Sequence, residues 1–378
     1  MQKEKKPIKV ILGLSGGVDS AASLIKLKED GYDVEAVFMR NWDSTTNNDL
    51  LGNPTINDDV CPQEVDYHDA LKVAEKLDVK LHRIDFIDEY WDRVFTYFLN
   101  EYRAFRTPNP DVLCNKEIKF KAFLEYAETL GSDYIAMGHY ARVIHTDTTS
   151  YLLRGKDANK DQTYFLCQIS QKQLSKALFP IGEMQKPEVR ELAKKYNLDV
   201  ATKKDSTGVC FIGERNFKEF LKNYLPACEG NMETIDGKVV GKHEGIMYYT
   251  IGQRKGLGIG GPGEAWFVCG KDPARNVLIV GQGEDQDLLY ANRVIVKDLN
   301  LFNPVDLQSK HYSAKFRYRQ ADTEITIKVI DDKTIEVKTI VPVKAITPGQ
   351  FCVIYDGEYC LGGGIIDEVY MDEVRRKY

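Results

Sequence analysis

The hexapeptide SGGVDS, Ser15 to Ser20, constrains this chain more than any other feature. It follows an apolar, strand-like stretch from Ile8 to Leu12 and runs directly into a helical pattern carried by Val18, Ala21, Ala22 and Ile25. A strand, a tight glycine turn and a helix start make a phosphate cradle. Gly16 and Gly17 remove side chains that would keep backbone N–H groups away from phosphate oxygens, and the helix start adds the positive end of its dipole. Ser15 and Ser20 offer hydroxyls, and Asp19 could hold Mg²⁺ or orient the loop. No lysine lies in the loop, which separates it from the GxxxxGK[ST] loop that sets a lysine on the β- and γ-phosphates.

Up to about residue 205 the chain alternates strand and helix. Tyr32 to Met39 and Leu81 to Phe86 read as strands, and Asp66 to Leu77 as a helix. Trp91, Val94, Phe95, Phe98 and Tyr102 line one face of a second helix. A third runs from about Asn115 to Leu130, DYIAMGHY reads as a strand, and Pro187 to Tyr196 as a helix with proline at its first position. Such alternation predicts an α/β fold with a mainly parallel sheet, whose ligands bind at the carboxyl ends of the strands. The glycine loop, Met39 and Gly138 all fall at such ends. Ser44 to Asp59, rich in Asn and Asp, reads as a mobile insertion with no core of its own. After about residue 215 the pattern changes to a short helix (Phe217 to Leu225), a glycine-rich region and, from Arg293, runs of period two: RVIV, YSAKFRYR, TEITIKVI, KTIEVKTI and GQFCVIY. The domains expected are 1–215, nucleotide-binding and catalytic; 216–285, a small central domain; and 286–378, an all-β barrel. GIGGPG, Gly258 to Gly263, matches GxGxxG, yet it carries Pro262 and leads into the strand-like AWFV, so it is set aside as a dinucleotide site.

The 8 cysteines are scattered, with no CxxC pair and no zinc spacing, which argues against a disulfide framework. Two stand in unusual settings. In TPNPDVLCNKE, Cys114 falls just before the expected helix, where a helix N-terminus favours the thiolate, and the Asn109-Pro110-Asp111 turn beside it offers an amide and a carboxylate. In KKDSTGVCFIGER, Cys210 lies in a glycine-flanked loop made basic by Lys203, Lys204 and Arg215. No apolar run approaches a membrane span, and the charged start of the chain reads as cytoplasmic. A net charge of −6 weakens, without excluding, a nucleic-acid partner. Against it stand Gln253-Arg254-Lys255 and the alternation of Lys315, Arg317 and Arg319, which would place three charges on one strand face.

The loop SGGxDS resembles that of the PP-loop ATPases, which split ATP between its α- and β-phosphates. Taken in order, GLSGGVDS, FMRNWD, TPNPDVLCNKEIKF, DYIAMGHYAR, GKDANKDQTYFL, DSTGVCFIGERNF and TIGQRKGLGIGG resemble the tRNA-specific 2-thiouridylases over nearly the whole chain. The resemblance implies an adenine nucleotide α-hydrolase-like N-terminal domain and ATP-dependent sulfur transfer to carbon 2 of a wobble uridine. It implies that Gly13, Leu14, Ser15, Gly16, Gly17, Val18, Asp19 and Ser20 bind the phosphates of ATP, with Met39 and Gly138 at its adenosine end and Mg²⁺ as cofactor. Cys114 would be the nucleophile, Cys210 the persulfide carrier, and Asp111 would act with them, while Asn109, Pro110 and Asp111 meet the base. His139, Lys160, Asp161, Gln162, Arg317, Tyr318 and Gln350 would contact tRNA, and a cysteine desulfurase or persulfide carrier would supply sulfur. Another adenylating PP-loop enzyme would need no pair of cysteines, and a non-catalytic RNA-binding barrel would turn over no ATP; the two cysteine motifs favour thiolation over both.

Overall fold

The structure, a computed structural model, describes residues 7–58, 60–205, 212–213, 215–283 and 287–378. The chain divides into two compact units, one made of Met1–Val94, Pro110–Asn216 and Glu358–Cys360, the other of Phe95–Asn109, Phe217–Gly357 and Leu361–Tyr378.

The first unit is built on five parallel strands, β1 (Lys9–Gly13), β2 (Asp33–Arg40), β3 (Leu81–Asp85), β4 (Tyr134–Ala136) and a short fifth strand Ala177–Leu178, in the order β3-β2-β1-β4-fifth. Central β1 pairs on both sides, Leu12 facing Ala36 and Ala136, so its residues are apolar on both faces. The helix Val18–Glu29 buries Ala21, Ala22, Leu24 and Ile25 in the same cluster as Val10, Leu12 and Phe38 of the sheet and Val189 and Ala193 of the helix Lys186–Lys195. The alternation in the sequence therefore yields the parallel sheet expected of it, with β1 at its centre delivering the glycine loop.

The Asn/Asp-rich stretch departs from expectation, because it does have a core, a polar one. Asn47, Asp49 and Asn53 are buried. The Asp49 carboxylate accepts hydrogen bonds from the Trp42 indole (3.0 Å) and from Arg215 Nε and Nη2 (2.9 and 2.8 Å), while Trp42 stacks on Trp91 with ring centroids 6.1 Å apart. Asn216 N–H adds a bond to Gly52 O at 2.8 Å. A buried carboxylate demands such partners, and Asp49 finds them across the chain.

In the second unit, the helix Thr96–Arg103 buries Phe98, Leu99 and Tyr102, with Phe217 of the helix Phe217–Lys222 against Phe98 and Tyr102. A four-stranded sheet is formed by Trp266–Asp272, Val277–Gln282, Gly230–Glu233 and Val239–His243, in that spatial order. The barrel follows: strands Tyr290–Leu301, Thr334–Lys344, Thr323–Asp331, Tyr312–Lys315, Phe351–Asp356 and Tyr359–Met371 are neighbours in turn, and pairing of the last with the first closes the ring. Val294, Val296, Phe316, Ile325, Val337, Ile354 and Ile366 fill it. Closure leaves none of these six strands an open edge within the ring. YSAKFRYR does not form the single strand its alternation predicts. The strand stops at Lys315, Phe316 turns fully into the core, and Arg319 takes a left-handed φ of 65°, so Lys315, Arg317 and Arg319 do not share a strand face. Among the described residues no helix is long and apolar enough to cross a membrane.

The barrel seam runs through Leu361-Gly362-Gly363-Gly364. A Cβ on Gly362, whose φ is 130°, would stand 2.0 Å from Asn300 O, and one on Gly364 2.6 Å from Lys297 O. Gly362→Ala is expected to lower unfolding stability by about 1–3 kcal/mol, read by urea denaturation, while Gly260→Ala, where a Cβ would meet nothing within 4 Å, leaves it unchanged.

Candidate active site

The glycine loop leaves β1 at Gly13, where Met137 Sδ and Met39 Cε would lie 2.8 and 3.1 Å from an added Cβ. Gly16 has a φ of 75°, and a Cβ there would come within 2.2 Å of Asp66 O, so the turn accepts no other residue. Ser20 Oγ donates to Gly17 O at 3.0 Å and accepts from Ser15 N at 3.2 Å, which folds the loop back on itself. Gly17 begins the helix Val18–Glu29 with no side-chain cap. The first N–H groups of that helix therefore keep their donor capacity for an anion. Gly138, at the end of β4, packs on the same place: its Cβ would stand 2.9 Å from Ser20 N and 3.0 Å from the Asp19 carbonyl carbon. Gly13 to Ser20, Met39 and Gly138 are thus brought together.

The structure adds groups that the sequence did not single out. Asp19 accepts hydrogen bonds from Tyr140 Oη at 2.8 Å and from Lys186 Nζ at 2.7 and 2.9 Å to its two oxygens. Lys186 Nζ also lies 2.8 Å from Asp205, which pairs with Lys160 at 2.7 Å and Arg190 at 2.9 Å. Burial alone would raise the Asp205 carboxyl, yet the hydrogen bonds from Lys160 and Lys186 hold it down at about 2. Burial and the neighbouring Asp19 push the Tyr140 phenol up, so it keeps its proton at neutral pH and donates it in a hydrogen bond to Asp19. Lys203 Nζ donates to Gly16 O (3.1 Å), Asp66 (2.8 Å) and Asp69 (2.6 Å); burial opposes its charge, and the two carboxylates more than restore it. One signal in the sequence could have pointed to Lys186. A lysine in the first turn of a helix opposes the helix dipole, so an interaction elsewhere must hold it there.

GKDANKDQTYFL folds into a clamp. Asp161, buried, accepts from Gly155 N (3.1 Å) and Thr163 Oγ1 (3.0 Å). Gln162 bonds the backbone of Tyr140 through both its own N–H (2.9 Å) and its side-chain oxygen (3.0 Å). Asp157 Oδ2 receives the Lys186 N–H at 3.0 Å. Asp161 and Gln162 are thus occupied in holding the loop, and Lys160 in pairing with Asp205. His139 is also buried, its ring 5.9 Å from that of Phe120, and burial, with Lys119 adding to it, keeps the imidazole neutral.

Cys114 does not precede its helix. The helix opens at Pro110, Cys114 closes the turn Pro110–Cys114, and the run continues as a π-helical stretch, Asn115–Ala122. Asn115 ties it down through Asp111 O (3.0 Å) and Phe165 O (3.2 Å). The thiol is fully buried rather than set at the uncapped end of a helix. Wide π turns are frequent at functional sites. Cys210 lies outside the described residues; on either side of it, Asp205 is held by three cations and Arg215 by Asp49.

The remaining residues of interest belong to the second unit. Gln350 Nε2 donates to Thr107 O (2.8 Å) and Pro108 O (3.1 Å), and its oxygen accepts from Asn109 Nδ2 at 3.4 Å. Lys271 Nζ donates to Phe105 O at 2.8 Å; burial brings this amine down to about 7. Phe105 itself carries a φ of 62°, a strained value for a bulky residue. Arg317 Nη2 donates to Ile251 O (2.7 Å) and to Thr347 Oγ1, and Tyr318 carries the Arg319 guanidinium 5.5 Å from its ring centroid. Gln350 and Asn109 therefore come together, as do Arg317 and the TIGQRKGLG segment.

Three family profiles match consecutive stretches of the chain: "tRNA methyl transferase HUP domain" over residues 8–214, "tRNA methyl transferase PRC-barrel domain" over 218–282 and "Aminomethyltransferase beta-barrel domain" over 291–366. A tRNA-specific 2-thiouridylase MnmA of Acholeplasma laidlawii (strain PG-8A) is 56% identical over 373 residues, covering 98% of this chain and 99% of its own. Another, of Bacillus cytotoxicus, is 54% identical over 371 residues, covering 98% and 97%. Among solved structures, an NMN synthetase of Francisella tularensis aligns with a TM-score of 0.32 and 18% identity over 52% of this chain and 66% of that one.

Two consequences are measurable. Arg215→Met leaves Asp49 buried without its guanidinium partner and is expected to cost about 3–5 kcal/mol of stability in denaturant unfolding. For Asp205, the depressed carboxyl stabilises the fold above its ordinary value of 3.8 and loses that effect as pH falls toward about 2. The stability gap between wild type and Asp205→Asn should be full at neutral pH and close across that acid window; a gap independent of pH would contradict the ion-pair assignment.

Proposed function

The chain belongs to the tRNA-specific 2-thiouridylase family, tRNA sulfurtransferases, and from that premise we propose that it adenylates carbon 2's oxygen on the wobble uridine and replaces that oxygen with sulfur from a cysteine persulfide. The observation that carries the ATP half of this reading is the uncapped start of the helix Val18–Glu29 behind a turn that only glycine can make at Gly16. A carbonyl oxygen is a poor leaving group; joined to AMP it becomes a good one, and pyrophosphate is the other product. The loop N–H groups and the serine hydroxyls of Ser15 and Ser20 orient the phosphates, and Met39 and Gly138 border the nucleotide. Asp19 suits a magnesium ion, since its carboxylate lies in the loop and already takes a cationic partner. Mg²⁺ bound there would neutralise phosphate charge.

In the sulfur half, a cysteine desulfurase or a carrier relaying its persulfide loads Cys210. The outer persulfide sulfur bonds to carbon 2 as AMP departs. Cys114, as thiolate, then attacks the inner sulfur of Cys210; the S–S bond breaks toward the base, leaving 2-thiouridine and a Cys114–Cys210 disulfide to be reduced. That step needs the two Cα atoms within about 7 Å. The same product is reached if Cys114 attacks the inner sulfur first, forming the Cys114–Cys210 disulfide and releasing sulfide, which then displaces AMP at carbon 2. Asn109, Pro110 and Asp111 would meet the base, which must leave its stack to react, and Asp111 would move protons beside Cys114. Arg317, Tyr318, Gln350 and Lys160 are the tRNA contacts this reading keeps on the surface, with Asp161 and Gln162 acting through the backbone they hold and His139 through its packing against Phe120. Such an enzyme works on cytoplasmic tRNA.

The deciding experiment is nucleoside mass spectrometry of unmodified tRNA incubated with the protein, Mg-ATP and a persulfide source. ATP-dependent 2-thiouridine is expected. AMP formed on a different acceptor, with no thiolated base, would move the chain to another adenylating activity. Cys114→Ser should abolish thiolation while ATP binding persists, and full thiolation by that variant would remove Cys114 from the mechanism.

A further inference from the structure

Among the described residues of the first unit, Lys160, Lys186, Arg190 and Lys203 form ion pairs with Asp19, Asp66, Asp69 and Asp205 around the glycine loop. Each of these cations is already paired with a carboxylate. A triphosphate adds several negative charges, of which one Mg²⁺ cancels only part, so a protein cation must exchange a carboxylate for phosphate.

The geometry distinguishes the four. Lys203 bonds the carbonyl of Gly16 together with Asp66 and Asp69; a phosphate in the loop faces N–H groups, not carbonyls. Arg190 is spent on the carbonyls of Ala201 and Lys203 and on Asp205, and Lys160 pairs with Asp205. Lys186 alone of these four bridges Asp19, inside the loop, to Asp205. Its backbone is fixed in advance, because its N–H is held by buried Asp157 and the preceding Gln185 N–H bonds the Glu188 carboxylate at 2.6 Å. Only its side chain has to move, past the ring of Tyr140, whose centroid lies 5.7 Å from Nζ.

We propose that Lys186 is the cation that contacts the polyphosphate of the nucleotide, supplying from a distant helix the charge that a GxxxxGK[ST] loop carries within itself. The proposal rests on the ATP reading above. As the uridine oxygen bonds to the α-phosphorus, the α–β bridging P–O bond breaks and its electron pair goes to the departing pyrophosphate. Lys186 stabilises that growing charge, exchanging one anionic partner for another.

The test compares equilibrium binding of ATP and AMP by wild type, Lys186→Met and Lys186→Arg. A charged hydrogen bond of about 1.5–3 kcal/mol corresponds to a loss of roughly 10–100-fold in ATP affinity for Lys186→Met, with AMP affinity held within about twofold and Lys186→Arg recovering most of the loss. Lys186→Gln, which keeps a donor for Asp19 but no charge, carries the same comparison should the methionine variant not fold. Unchanged ATP affinity in the uncharged variants, or parallel loss of ATP and AMP, would overturn the assignment, since a merely structural lysine does not distinguish the two nucleotides. Wild-type protein that binds neither nucleotide would overturn the ATP reading beneath it.

Discussion

Asp19 joins three segments of the first unit at one carboxylate. It opens the helix behind the glycine loop, receives the Tyr140 hydroxyl from the end of the β4 segment, and receives the Lys186 ammonium from the helix Lys186–Lys195. Gly16 and Gly17 carry no side chains, so the loop contributes little packing of its own. Its shape is imposed from outside, by Asp66 O against Gly16, by Gly138 against Ser20 and by the Lys203 bond to Gly16 O. The same ion pairs reach Asp205, which shares Lys186 with Asp19 of the glycine loop.

The second unit works on a different principle. Its barrel is closed by backbone pairing through a run of glycines, and apolar side chains fill the ring. From that rigid body the turn carrying Gln350 holds Thr107, Pro108 and Asn109 by their own polar groups, while Lys271 holds the strained Phe105. A segment proposed to meet a base is thus fastened by hydrogen bonds to a scaffold rather than left as a free loop.

Elements with a regular local period were legible. The alternation that predicts the parallel sheet, the aromatic face of 91–102 and, apart from YSAKFRYR, the period-two runs of the barrel reappear. The failures share a cause. Ser44 to Asp59 contains little hydrophobic residue to reveal a core, and its core is the Asp49 carboxylate with Trp42 and Arg215, a partner far along the chain. YSAKFRYR alternates on paper, but Phe316 is buried and Arg319 turns left-handed, which ends the strand at Lys315. The strand Tyr359–Met371 is hidden by its three glycines, of which Gly362 and Gly364 are required by the close approach of Asn300 and Lys297.

By itself, the sequence marks the glycine loop, because glycines between a strand and a helix free the backbone for a turn that residues with a Cβ rarely make, and it marks Cys114 and Cys210 by their surroundings. Only the tertiary structure decides which charges surround that loop. Lys186, Lys203, Tyr140 and Asp205 have no common motif with the loop and are separated from it by more than a hundred positions. Backbone geometry follows from neighbours in the chain, whereas Coulomb pairing depends on which segments the packed sheet and helices bring within a few ångströms.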